Sequence, residues 1–312
     1  MDLSIICPTL NEIKFIDQLI IDLCMEDGLE KEIFILDGGS VDGTIQKVLQ
    51  LQKVHSNLIY ITNPRRTSTA AFNIGYQYSK GEFVAFVGAH ARYSPGYFKF
   101  GVDAIRSGIC DVVGGPLEQI GTSNTGKAIA YVMSSKAGVG NTEFRTSKER
   151  MYVDSVAFAI YRKTIIDTVG SMDENIPVNQ DDEFHYRLNS KGYKIMMIPE
   201  MKATYFVRDS YSKLFKQYFR YGLYKPFVLK KVKGAIRYRH LIPSLFVLYL
   251  ISLPFMLISL LWLIPFVIYI LITLVIAMKA KNTLIVKLLC IPVFPILHIG
   301  YGLGFLIGLL KK

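Results

Sequence analysis

The sequence is poor in cysteine, lacks a glycine-rich nucleotide turn at its start, and carries almost no acid in its last third. Its four cysteines (Cys7, Cys24, Cys110 and Cys290) have no paired spacing and sit mostly in apolar context. That argues against a disulfide framework or a zinc site and reads as small core residues. The first apolar run is followed by Pro8-Thr9-Leu10-Asn11-Glu12, where a dinucleotide-binding fold would place its glycines. Gly138-Val139-Gly140 does not follow a clear strand, so an NAD-type oxidoreductase is disfavoured. No signal peptide is visible at the start. Asp2 follows Met1 and Leu3 to Cys7 already reads as a buried strand, so the N-terminal part is expected to stay in the cytoplasm.

Charge itself is missing from two stretches. Leu241 to Met278 is 38 residues without Asp, Glu, Lys or Arg, and Leu288 to Leu310 is a second such run. About 20 apolar residues cross a bilayer as a helix, so the first run has length for two tight spans and the second for a third. Two spans would return Lys279, Lys281 and Lys287 to the cytoplasm, as the positive-inside rule prefers; a third would put Lys311 and Lys312 outside, against that rule, so two to three spans are expected. Pro243, Pro254, Pro265, Pro292 and Pro295 punctuate these runs.

What the chain has in excess is positive charge, a net +11 over 312 residues. Ten Lys or Arg lie between Arg208 and Arg239 against the single acid Asp209, interleaved with aromatics such as Tyr211, Phe215 and Tyr218. Beside a membrane anchor, this pattern suits an anionic leaflet rather than nucleic acid. The expected organisation is therefore a soluble domain over 1–207, a basic segment over 208–240 and a hydrophobic anchor over 241–312.

The soluble part alternates strand and helix. Leu3–Pro8, Glu32–Leu36, Leu58–Ile61 and Glu82–Val87 read as short buried strands. Between them lie a helix carrying Phe15, Ile16, Leu19, Ile20 and Leu23, one through Val48 and Leu51, and one near Ser68–Ser79. This predicts an α/β fold with a mostly parallel sheet, in which ligands bind outside the carboxyl ends of the strands. Polar residues at those ends are Asn11 and Glu12, Asp37 and Asp42, and His90. Further on, Val153–Ile160 reads as a strand and Glu183–Ser190 as a helix, with Asp181-Asp182-Glu183 at its N-terminus. The dipole there keeps carboxylates ionised, which serves helix capping and catalysis equally.

Taken in order, these residues resemble family 2 glycosyltransferases of the GT-A fold over roughly residues 3 to 225. Five blocks carry the likeness: Ser4 to Glu12, Asp37 to Thr44, Ala70 to Gly75, Val84 to Pro95, and Asn179 to Glu183 with Arg187. Gly88-Ala89-His90-Ala91, Val113-Gly114-Gly115-Pro116 and Gln217 to Gly222 resemble a narrower branch, the succinoglycan-type exopolysaccharide transferases with C-terminal membrane segments.

The resemblance implies roles. Pro8 and Thr9 would line a uridine pocket, Glu12 and Asp37 would hold base and ribose, and Gly39 and Asn73 would complete the nucleotide-sugar site. Asp181, with Asp182 as second candidate, would be the base that activates an acceptor hydroxyl for inverting attack. His90 would help hold a divalent cation, Mg or Mn. The donor would be a UDP-sugar, and the acceptor a lipid-linked saccharide extended for a surface polysaccharide.

The chain departs from the family pattern in three places. Gly88-Ala89-His90 stands where relatives carry Asp-x-Asp, Gly38 stands where many carry an acid, and Gln180 stands where many carry Glu. An inactive scaffold subunit is the alternative these departures suggest. The Gln-x-x-Arg-Trp motif of processive relatives is replaced by Gln217-Tyr218-Phe219-Arg220-Tyr221, which disfavours polymer synthesis.

Overall fold

The computed structural model describes residues 1–25, 28–140, 142–232 and 237–311. The chain divides into two compact units: Met1–Glu118 with Ser147–Tyr205, and Gln119–Thr146 with Phe206–Lys312.

The first unit is built on strands that are apolar on both faces. β1 (Leu3–Thr9) and β2 (Lys31–Asp37) are buried at nearly every position, as parallel strands covered on both sides must be. Between them α1 (Ile16–Met25) buries Ile16, Leu19, Ile20 and Leu23, the helical face expected from the sequence. Then follow α2 (Thr44–Gln52), β3 (Leu58–Thr62), α3 (Ser68–Tyr78), β4 (Phe83–Phe86), β5 (Ala91–Tyr93), α4 (Tyr97–Arg106), β6 (Val112–Gly115) and β7 (Leu117–Ile120).

After β7 the chain leaves this unit. It contributes α5 (Asn124–Met133) and the single turns α6 (Lys136–Val139) and α7 (Glu143–Thr146) to the second unit. It then returns as β8 (Met151–Tyr152), β9 (Ala157–Arg162), α8 (Lys163–Val169), α9 (Gln180–Ser190), β10 (Ile195–Met197) and β11 (Ala203–Phe206).

Eight strands form one sheet in the order β3-β2-β1-β4-β9-β6-β10-β8. The β3-β2-β1-β4 half is parallel, with Thr9 opposite Asp37 and Asp37 opposite Thr62, which brings the loops after these strands side by side. β9 runs antiparallel between β4 and β6. The strand expected over Val153–Ile160 therefore starts later and runs to Arg162. Asp154 and Ser155 leave the ladder because they serve α9: Asp154 O accepts from Asn189 Nδ2 at 2.8 Å, and Ser155 Oγ meets His185 Nδ1 at 2.9 Å.

The second unit is helical. After α10 (Tyr211–Lys231) come α11 (Tyr238–Ser252), short 3₁₀ turns over 253–257 and 260–263, α12 (Ile264–Met278) and α13 (Leu284–Leu310). Three helical stretches, Tyr238–Leu257, Leu260–Met278 and Leu284–Leu310, are long and apolar enough to cross a membrane.

α13 is the spine of this unit. The α-carbon faces of Gly300, Gly304 and Gly308 lie against the backbone of α10, and Gly302 against that of α11; a Cβ on Gly304 would stand 2.1 Å from Phe219 O. Small residues at such spacing let helix backbones approach closely. α5 packs on the same helix, with Ala128, Ile129, Val132 and Met133 in one buried cluster with Cys290, Val293, Phe294 and Leu297. His298 joins three segments: Tyr269 Oη meets its Nδ1 at 3.0 Å, and its Nε2 donates to Ala137 O at 2.9 Å.

Candidate active site

The loops leaving β1 and β2 are tied to each other by side chains. Asn11 N donates to Ser40 Oγ at 2.7 Å, and Asn11 Oδ1 accepts from Val41 N at 2.9 Å. Glu12 N donates to Thr44 Oγ1 at 2.9 Å, and Ile13 N to Asp42 Oδ2 at 3.2 Å. Asp42 is held below the usual carboxylate range, first by the Thr44 hydroxyl and then by backbone N–H donors.

Asp37, 2 % exposed, sits at the centre of the second loop. Its Oδ1 accepts from Gly39 N and Ser40 N, both at 2.8 Å, and its Oδ2 from Ser40 Oγ at 2.5 Å. A carboxylate has about four acceptor sites, so three of them are already engaged within its own loop. Gly39 has φ +90, and the missing Cβ would lie 3.3 Å from Arg66 Nη2. Arg66 thus lays an exposed guanidinium along this loop from the end of β3. It makes no ion pair among the described residues, and the sequence reading did not single it out. Pro8 is half-buried at the end of β1, while Thr9 is buried with its hydroxyl turned back to Cys7 O at 3.3 Å.

Asn73 lies on α3, buried, with both ends of its amide occupied. Its Nδ2 donates to Met172 O and to Glu174 Oε1, each at 2.9 Å, and its Oδ1 accepts from Met172 N at 3.1 Å. Glu174 also pairs with Arg65. Asn73 therefore splices α3 to the segment that leads into α9.

At the end of β4 the structure gives a physical reason for Gly88. A Cβ there would stand 2.7 Å from the Phe158 ring, so no acid fits without displacing that ring. Phe158 itself has φ +50, and Tyr97 Oη donates to its carbonyl at 2.8 Å. His90 remains, its Nδ1 2.9 Å from Glu12 Oε1 and its ring against Phe15 and Tyr205. Glu12 and His90, assigned by sequence to different tasks, form one pair. A carboxylate on Nδ1 fixes the ring and leaves Nε2 as its second nitrogen.

The acidic cluster occupies the first turn of α9, so the helix starts earlier than Glu183. Gln180 Nε2 donates to Ser68 Oγ at 2.9 Å, joining this helix start to that of α3, and Asp181 Oδ1 accepts from Asp182 N at 3.0 Å. Asp181 and Asp182 are half-buried, whereas Glu183 is 0 % exposed. Glu183 forms a two-pronged pair with Arg187, Nε to Oε1 at 2.7 Å and Nη2 to Oε2 at 3.0 Å. Arg187 also donates to Val169 O at 3.0 Å and Ser171 O at 2.8 Å.

Beneath the turn, buried His185 bridges Ser155 Oγ and Tyr161 Oη, both at 2.9 Å. Burial pushes His185 down to about 4, the Asp182 charge opposing, and pushes the Tyr161 hydroxyl upward, aided by the charge of Asp181. Neither His185 nor Tyr161 carried a sequence signal, since the partners of each are remote in sequence.

The four non-glycine residues with positive φ among those described are Asn11, Arg66, Phe158 and Asn179. Each precedes or follows one of these loops, and such strain concentrates where a site needs it. No group of three or more His, Cys, Asp or Glu side chains arranged to hold a metal occurs among the described residues.

Paired nucleotide-type loops at one sheet edge, a helix-borne acid pair and an antiparallel strand inside a parallel sheet define the GT-A class of sugar transferases. The model of Glycosyl transferase family 2 matches residues 4–170. The chain is 30 % identical to a dolichyl N-acetyl-alpha-D-glucosaminyl phosphate 3-beta-D-2,3-diacetamido-2,3-dideoxy-beta-D-glucuronosyltransferase of Methanococcus voltae, covering 80 % of each chain. It is 32 % identical to the succinoglycan biosynthesis protein ExoA of Rhizobium meliloti over 70 % of this chain and 67 % of that one. A mannosyltransferase of Pyrobaculum calidifontis shares the fold at TM-score 0.63 and 15 % identity, over 99 % of this chain and 87 % of its own. The chain belongs to glycosyl transferase family 2, and it is a transferase enzyme.

Proposed function

We propose that this chain transfers a hexose from a UDP-sugar, with inversion, to a saccharide carried on a membrane lipid, as a step in building a surface polysaccharide. The observation that carries this reading is the acid pair Asp181 and Asp182. It stands in the first turn of α9, pinned by Gln180 to Ser68 and by Glu183 to Arg187. The names of the relatives, which speak of a dolichyl-linked sugar substrate and of succinoglycan biosynthesis, supply the acceptor class.

The acceptor hydroxyl loses its proton to Asp181, or to Asp182 if that oxygen lies nearer. As it attacks, the bond from the anomeric carbon to the nucleoside diphosphate breaks. Attack from the opposite face inverts the centre, so no enzyme nucleophile is needed. Pro8, Thr9 and Glu12 line the base side of the donor pocket. Asp37 and Gly39 shape the ribose loop, and Asn73 holds α3 in place behind it. The leaving diphosphate gathers negative charge, and Arg66 lies where it offsets part of that charge.

A divalent cation bound to the diphosphate would stabilise the same charge. On the protein side His90 Nε2 fits such an ion, with Glu12 fixing the ring. A single imidazole is a weak hold for Mg and a better one for Mn-like ions. The helical unit spans the membrane more than once, with the sugar-transferring unit on the cytoplasmic side where Lys279, Lys281 and Lys287 also belong.

The test is UDP release by full-length protein in nanodiscs, with a panel of UDP-sugars and a membrane lipid extract, with and without Mn or Mg. Turnover with one sugar, lost by at least a hundredfold in Asp181→Asn or Asp182→Asn, is the expected result. Donor binding without turnover under every condition would replace this reading with a scaffold subunit.

A further inference from the structure

α13 is the longest of the three apolar stretches, yet its neighbours do not suit a bilayer interior. Gly300, Gly304 and Gly308 face α10 at successive turns. Their Cβ positions would lie 3.2 Å from Phe215 O, 2.1 Å from Phe219 O and 2.2 Å from Leu223 O. Both series advance by one turn at a time, so the two helices run side by side in the same direction. Tyr211 Oη donates to Leu289 O at 2.8 Å, and Lys230 Nζ lies 3.5 Å from Lys311 O, which extends the pairing to both ends of α10.

Whatever depth α13 occupies, α10 therefore shares. α10 has 21 residues and is roughly 30 Å long, about the thickness of a hydrocarbon core. It holds six Lys or Arg, and Lys213, Lys216 and Arg220 form one exposed line at i, i+3 and i+7. Ionisable side chains at bilayer depth are rare and turn toward a bundle interior or a water-filled cavity. The first half of α13 is flanked by α5, whose Lys127 is exposed as well.

The other side of α13 has a different character. Leu284, Leu288, Pro295, Ile299, Leu306 and Leu310 form a stripe along all 27 residues, exposed or half-buried and without an ionisable side chain. At 3.6 residues per turn this stripe lies nearly opposite the three glycines that meet α10, and opposite Cys290 and Leu297, which meet α5. At its edge Gly302 meets α11, with a Cβ position 2.3 Å from Pro243 O. Protein along one side and unbroken apolar surface along the other is the pattern of a helix lying in the interface plane. The lysines agree. A crossing α13 would carry Lys311 and Lys312 outside, whereas a surface helix leaves them on the same side as Lys279, Lys281 and Lys287.

We propose that α13 does not cross the bilayer but lies along its cytoplasmic surface, with the Leu284-to-Leu310 stripe on the acyl chains and α5 and α10 on its aqueous side. Tyr238–Leu257 and Leu260–Met278 remain as the two spans. This deepens the membrane part of the function proposed above and rests on it.

The test is depth-dependent quenching of tryptophan fluorescence by brominated lipids, on full-length protein in phosphatidylcholine–phosphatidylglycerol vesicles. Trp262, between α11 and α12, is the single tryptophan of the chain. In a Trp262→Phe background, Leu288→Trp, Ile299→Trp and Leu310→Trp place probes about 16 Å apart along the stripe. Three shallow depths within about 5 Å of one another are expected. A span instead puts Ile299→Trp deeper than both end probes by about 15 Å, and that result overturns the proposal. A second measurement needs no substitution. Tags placed before Met1 and after Lys312 should both be cut by protease added to inside-out vesicles, and cutting of the N-terminal tag alone would overturn the proposal. Quenched Trp262 in wild type with a deep Ile299→Trp removes only the placement of α13. No quenching at any probe, Trp262 included, removes the membrane reading itself and this proposal with it.

Discussion

Arg187→Met should be the most damaging single change in the sheet unit that touches no ligand. Arg187 closes a two-pronged pair with Glu183, and Glu183 is 0 % exposed, so removing the guanidinium takes the paired cation from a carboxylate with no access to water. Breaking one side of a buried pair costs about 3–5 kcal/mol. The change also deprives Val169 O and Ser171 O of their donor, which places the expected loss toward the upper end. Against a total stability on the order of 5–15 kcal/mol, a third or more of the margin goes. Near 2–4 °C per kcal/mol for a unit of this size, thermal unfolding should move down by roughly 6–20 °C.

The assay is thermal unfolding of the full-length protein in nanodiscs, read by near-ultraviolet circular dichroism, on wild type, both single variants and the double variant. Arg187→Met with Glu183→Gln removes both charges, so the double variant should recover more than half of the loss. Arg187→Lys keeps a charge but not the two-pronged geometry and should fall between. A single variant within about 1 kcal/mol of wild type, or a double variant no better than Arg187→Met, would refute the claim that this pair sets the position of the α9 acid turn.

Two further predictions follow from buried contacts. His185 is held down to about 4 against an ordinary value of 6.5, so the unfolded chain binds the extra proton between those values. Its contribution is therefore complete above about pH 6.5 and is lost as pH falls toward 4, by up to about 3 kcal/mol. His185→Gln should flatten the wild-type stability profile across that window, and an unchanged slope would count against it. In the helical unit, Gly304→Leu would drive a side chain into the Phe219 carbonyl of α10. A loss of about 3 kcal/mol or more is expected, visible as aggregation in size-exclusion chromatography of the detergent-solubilised protein.

Much of this architecture was legible because it rests on period and run length. The strands ending at Thr9 and Asp37, the α1 face and the long apolar helices all follow from patterns within a single segment. The parts that were not legible depend on partners far apart in sequence. Glu12 and His90 are 78 residues apart and share one hydrogen bond. Ser155, Tyr161 and His185 meet from a loop, a strand and a helix, and no local pattern links the three. Gln119–Thr146 carries little periodic signal because its core face is completed by α13, and no local pattern announces a partner that arrives about 150 residues later. The sequence pattern also gave no sign that the polar atoms of Asn73 and Asp37 are largely engaged by the protein itself.

The replacement of an acid by Gly88 is best understood together with Phe158. A backbone at φ +50 costs a phenylalanine on the order of 1–3 kcal/mol, and it holds the ring where an aspartate Cβ would otherwise be. Mutating Gly88 back to Asp alone would therefore create a clash, not a metal ligand. Loss of that carboxylate leaves His90 as the polar group at this strand end, and a neutral imidazole by itself contributes no charge. Pairing with Glu12 supplies a carboxylate from the neighbouring strand, 2.9 Å from His90 Nδ1. The negative charge that the usual acid motif places after the fourth strand has thus moved one strand over. It stands against the histidine ring, so the carboxylate at this edge is that of Glu12 and not one at position 88.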